Sequence, residues 1–140
     1  ASQPGNQTVV FAVIGDMTLL PVFEAAAHLA ELGVGSRIVS VVSPRRLYRP
    51  SDVAWDQCSE PDGEFLDGVG FERLFGGDAL IGVTGGSSAM LEPLLLRSTL
   101  PRDVFAWKRG ETTATAGQIM ALNGLTAANF VARAQQLLGA

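Results

Sequence analysis

The first apolar stretch, TVVFAVIG from Thr8 to Gly15, is short, nearly continuous and rich in β-branched residues. Such a run predicts a strand covered on both faces. Asp16 or Thr18 is placed to cap a helix, and Pro21 fits its first turn, where an N–H has no internal partner. The helix runs on as VFEAAAHLAELG and stops at Gly33. SRIVSVVSP forms the next strand, ended by Pro44. ALIGVTGG forms a third, followed by Ser87 or Ser88 as a cap and Pro93 in or near the first turn of the MLEPLLLRS segment. RDVFAWKRG supplies a fourth. The expected strands are Val9–Ile14, Arg37–Val42, Leu80–Val83 and Val104–Trp107, with room for a further short one.

The end of the chain, KRGETTATAGQIMALNGLTAANFVARAQQLLG, predicts a polar Thr-rich loop, a short helix, a break and a closing helix. Asn123-Gly124 makes the break, because both residues tolerate a left-handed backbone. Thr126 caps the last helix, and Leu125, Phe130, Ala134 and Leu137 fall near helical spacing as a buried face. Strands alternating with helices predict an open α/β sandwich, mostly parallel, with helices on both faces. Residues 8–140 are one domain on this pattern, and 1–7 a flexible start or linker.

One stretch breaks the alternation. RRLYRPSDVAWDQCSEPDGEFLDG is long, rich in Pro, Asp and Ser, and has little periodicity. Loops of this length are usually functional or lie against a partner. Arg45, Arg46, Tyr48, Arg49, Trp55 and Phe65 mix basic and aromatic side chains, a composition enriched at interface centres. A solvated loop is the plain alternative. Leu66 to Phe75 then predicts a short helix.

Composition adds limits. The chain has 140 residues, enough for one domain that needs no metal or disulfide to fold. Only 17% of residues are charged, against 47% hydrophobic. A typical soluble domain has about 25% charged residues. Two readings stay open: a surface partly covered by a partner, or an ordinary core-rich domain. The net charge is −4 and the one basic knot is Arg45, Arg46 and Arg49, which argues against nucleic acid. The longest apolar run is too short to span a bilayer. Cys58 is the only cysteine, which excludes an internal disulfide and fits a reducing, cytoplasmic setting.

Candidate chemistry is sparse. There is no P-loop and no G-x-G-x-x-G after a strand, and one His and one Cys cannot form a zinc site. His28 lies on a helix beside Ala27 and Leu29, as a packed or surface residue. Cys58 has the acidic neighbours Asp56 and Glu60, which blunt a thiol nucleophile. No nucleophile, base and orienter can be assembled, so no catalytic residue and no metal ligand is assigned. Two loops are candidate anion binders. Gly85, Gly86, Ser87 and Ser88 present N–H groups and hydroxyls at a helix start. Thr112, Thr113 and Thr115 do the same, with Lys108 and Arg109 nearby.

The order of these pieces resembles the C-terminal domain of the transketolase family of thiamine-diphosphate enzymes. The similar elements are VVFAVIGDM with FEAAAHLAELG, SRIVSVVSPRRL, ALIGVTGG, and RGETTATAGQIMALNGLT with its GLT element. The Thr-rich loop followed by Met and Leu-Asn resembles phosphoketolases, and the long connection from Arg45 to Phe65 resembles both phosphoketolases and the homodimeric pyruvate dehydrogenase subunit. The resemblance implies a three-layer α/β/α sandwich around a mixed, mostly parallel sheet of about five strands, one antiparallel. It implies a non-catalytic domain that packs against the other domains of its parent and supports a homodimer. The parent would act on ketose phosphates such as xylulose 5-phosphate, with thiamine diphosphate and magnesium held elsewhere. Gly15-Asp16-Met17 begins like the family's cofactor motif but lacks its third Gly and the later Asn pair. The chain would then be an excised domain or a subunit supplied in pieces. The alternative is an independent α/β regulatory module for a small anion or nucleotide.

Overall fold

The computed structural model describes residues 7–47, 65–108 and 113–139. Strand β1 (Thr8–Ile14) runs through the middle of the sheet. Its residues Val9 to Val13 are shut off from solvent. β2 (Gly35–Ser40) pairs with it on one side and β3 (Ala79–Thr84) on the other. β4 (Arg102–Phe105) pairs with β3. The order is β2-β1-β3-β4, and every pairing is parallel. Among the described residues the sheet thus has four strands and no antiparallel member.

Alternation along β1 divides the core in two. Val9, Phe11 and Val13 face α1 (Leu19–Glu31) and α5 (Ala127–Leu138), which bring Val22, Ala25, Leu29, Phe130 and Ala134. Val10 and Ala12 face α2 (Gly68–Phe75) and α3 (Glu92–Arg97), which bring Phe71, Phe75 and Leu94. The result is the expected three-layer α/β/α sandwich. Gly82 lets α3's layer approach closely: a Cβ there would sit 2.9 Å from Leu91 Cδ1.

Several local expectations shift. Thr18 does not cap α1. Its hydroxyl donates to the Gly15 carbonyl at 2.9 Å, because the helix grows out of a 3-10 turn over Asp16–Thr18. β2 starts and ends two residues early relative to Arg37–Val42. Val41 N–H still reaches the Val13 carbonyl, but Val42 stands in solvent at 91% exposure. β4 also ends two residues early, since Trp107 N–H turns to the Gly86 carbonyl. The helix expected from Leu66 starts at Gly68, capped by Asp67, whose carboxylate accepts the Gly70 N–H at 2.7 Å. The cap at Thr126 and the left-handed stop at Gly124 form as the sequence predicts, whereas Ser87 caps a 3-10 turn over Ser88–Leu91 and α3 behind it follows Leu91 with no side-chain cap.

Candidate functional site

The strand order sets where a ligand would find a crevice. β1 continues through α1 to one side of the sheet, and β3 continues through α3 to the other. The chain therefore parts at the carboxyl ends of β1 and β3, the usual binding position in an open α/β sheet. The Gly15–Thr18 and Gly85–Ser88 turns meet there; a Cβ on Gly85 would lie 3.9 Å from Thr18 Cγ2. Much of the polar capacity of the second turn is spent internally. Gly86 N–H donates to Thr84 Oγ1 at 3.0 Å, and Ala89 N–H to Ser87 Oγ at 3.3 Å. An anion would have to displace these bonds.

The Thr-rich loop is built similarly. Thr115 and Gln118 form a reciprocal capping box at the start of α4 (Ala116–Leu122). Thr115 N–H donates to Gln118 Oε1 at 3.0 Å, and Gln118 N–H to Thr115 Oγ1 at 3.4 Å. Thr113 is exposed and, with Ala114, Gln118, Ala121 and Leu122, lines an open depression of about 580 Å³. Thr112 lies outside the described residues. The sequence reads Asn123 only as a helix stop, yet it is buried. Its Oδ1 accepts the Lys108 N–H at 2.6 Å and its Nδ2 donates to the Ile119 carbonyl at 2.9 Å. It ties the exit of β4 to the end of α4.

Of the interface candidates, Tyr48, Arg49, Trp55 and the side chain of Arg45 lie outside the described residues. Arg46 is exposed. Phe65 is half-buried beneath Arg97, whose guanidinium carbon lies 4.6 Å from its ring centre and 4.3 Å from that of Phe71. Arg97 also donates to the carbonyls of Leu47 at 3.3 Å, Leu66 at 2.5 Å and Asp67 at 3.1 Å. With the Leu66 N–H bonded to the Arg46 carbonyl at 3.0 Å, the two ends of the long connection are held together at one point. The only sequence signal for Arg97 was a lone cation closing the apolar run LEPLLLR.

Asp16 is exposed in its turn, and no three His, Cys, Asp or Glu side chains converge among the described residues. No helix among them is long and apolar enough to cross a membrane. Large apolar side chains do reach solvent beside the first turn: Met17, Leu20 and Phe23 are 57%, 67% and 57% exposed.

No family model matches the sequence. No curated protein matches it either. Among solved structures, a chain described as "Split gene transketolase, inactive beta4 tetramer" aligns with a TM-score of 0.62 at 22% identity. The alignment covers 99% of this chain and 44% of that one. The fold is transketolase-like. At this identity the correspondence is one of architecture, and this transketolase-like chain spans less than half the length of the chain it matches.

Proposed function

We propose that this chain is the non-catalytic C-terminal domain of a thiamine-diphosphate-dependent enzyme of the transketolase or phosphoketolase type. Its role is to pack against the enzyme's other domains and to support a homodimer. On this reading the parent works in the cytoplasm on ketose phosphates, and the residues that hold thiamine diphosphate and magnesium belong to polypeptide beyond this chain. One observation carries the proposal. Nearly the whole of this chain aligns with under half of a transketolase chain, as one domain of a larger enzyme would. The described partner of that alignment is itself a split-gene product, which fits a subunit supplied in pieces. The aromatic and basic residues between Arg45 and Phe65 are assigned to contact with a neighbouring domain.

The test is the neighbouring gene sequence. A reading frame upstream, fused or adjacent, with a Gly-Asp-Gly motif is expected; its absence would sink the proposal. A direct check is calorimetric titration of the isolated chain with thiamine diphosphate and magnesium, for which no saturable micromolar binding is expected. The position of Gly85–Ser88 at the parting of β1 and β3 favours a second reading, a module for a small anion or nucleotide. Titration with phosphate and ATP separates the two.

A further inference from the structure

Of the α-helices described, α4 alone has no fully buried residue. It has seven residues, too few to stand on helix propensity, so it depends on its two ends. Thr115 and Gln118 close the first end. Asn123 closes the second: its Oδ1 accepts the Lys108 N–H at 2.6 Å and its Nδ2 donates to the Ile119 carbonyl at 2.9 Å. Segments with so little burial open locally at low free energy.

Asn123 is also the one asparagine of three that precedes a glycine; Asn6 precedes Gln7 and Asn129 precedes Phe130. The side-chain amide of an asparagine can be attacked by the backbone nitrogen of the next residue. A side chain on that next residue obstructs the approach, and glycine has none. The fold holds the reaction off in three ways. Closing the five-membered ring requires the Gly124 nitrogen to swing beside Asn123 Cβ. With ψ of Asn123 at 1°, that nitrogen lies in line with Asn123's own nitrogen, a third of a turn away. The Gly124 N–H is engaged with the Ala121 carbonyl at 3.0 Å. The Asn123 side chain is buried and pinned at both its oxygen and its nitrogen.

We propose that Asn123–Gly124 is a deamidation site, closed by the fold and unlocked by local opening of α4. In the opened segment the Gly124 nitrogen gives up its proton and attacks Asn123 Cγ. The N–Cγ bond forms, the Cγ–Nδ2 bond breaks, and Nδ2 takes the proton and leaves as ammonia. Water then opens the cyclic imide to aspartate or isoaspartate. Neither product restores the tie. Aspartate turns an acceptor toward the Ile119 carbonyl, where Nδ2 had donated, and sets a negative charge at the negative end of the helix. Isoaspartate lengthens the main chain by a methylene just before the left-handed turn at Gly124. An opening that ends in reaction is therefore not reversed, and the chain ages from this corner. The proposal is independent of the enzyme reading above.

The test is peptide mapping by mass spectrometry of the full 140-residue chain, aged at mildly alkaline pH with and without urea. Asn123 is expected to convert about tenfold or more slowly in the folded chain than in urea, because only the opened fraction reacts. Thr115→Ala loosens the far end of α4 and is expected to speed conversion in the folded chain about fivefold, with the rate in urea unchanged. Asn123→Asp, one of the two products, is expected to melt at a lower temperature than the parent chain; failure to fold would say the same more strongly. Equal conversion with and without urea would overturn the proposal. So would a Thr115→Ala chain no faster than the parent, or an N123D chain as stable as the parent.

Discussion

On one side of the sheet, α1 and α5 are 13 and 12 residues long, and their contact with it is almost wholly apolar. Phe130 sits at its centre, 6.5 Å from Phe11 and 4.9 Å from Phe105 between ring centres. On the other side, α2 and α3 have 8 and 6 residues. Phe71 and Phe75 pack there, but two guanidinium groups also take part. Arg37 donates to the carbonyls of Arg73, Leu74 and Gly76 at the end of α2. Arg97 binds the carbonyls of Leu47, Leu66 and Asp67. Every helix leaves about four carbonyls unpaired at its end, so a short helix leaves a larger share of its backbone unsatisfied. Long helices can be held by burial. On the short side, Arg37 meets the carbonyls at the end of α2, and Arg97 ties the carbonyls just before α2 to the end of α3.

Phe130→Ala should separate the two layers most sharply. Removing a ring from the centre of the buried side is expected to cost about 3–5 kcal/mol in urea unfolding. A loss under 1 kcal/mol would mean that the α1/α5 layer does not depend on this cluster. Arg97→Met keeps apolar bulk and removes the carbonyl bonds. Because Arg97 is only half-buried, a loss of roughly 1.5–3 kcal/mol is expected, with faster proteolytic cleavage between residues 47 and 66. Unchanged cleavage would show that Arg97 does not hold the two ends. Thr126→Ala removes the hydroxyl that accepts the Asn129 N–H and should cost about 1 kcal/mol, with no change in that cleavage. Arg133→Gln breaks the ion pair with Asp103, whose side chains are 39% and 40% exposed. About 0.2–1 kcal/mol is expected, lost in high salt in the parent chain as well. A larger loss would give the α1/α5 side an electrostatic component that the contrast denies it.

The elements that could be read from the sequence are those whose signals are local. β1 and β3 are continuous apolar runs and formed where expected. Ser87, Thr115 and Thr126 each find their partner within three residues, so the helix starts they mark are legible. β2 and β4 were placed two residues late because Val41, Val42, Ala106 and Trp107 extend the apolar pattern past the point where pairing stops. Thr18 looked like a cap because a 3-10 turn leaves no local trace. Arg97 and Arg37 were not legible as fasteners, since Arg97 finds its carbonyl partners 30 to 50 residues away and Arg37 finds its own 36 to 39 away. The candidate anion loops were legible as helix starts; that their amides and hydroxyls bond one another depends on the folded turn.

The bond from Leu66 N–H to the Arg46 carbonyl brings the two described ends of the long connection to one doorway. Such a doorway is indifferent to how much chain passes through it. Doubling the length of a flexible closed loop costs only about 0.6 kcal/mol. The length of chain between these two ends can therefore change without redrawing the sheet. What the sheet requires of this connection is that its two ends meet, and Arg97 and the Leu66–Arg46 bond see to that.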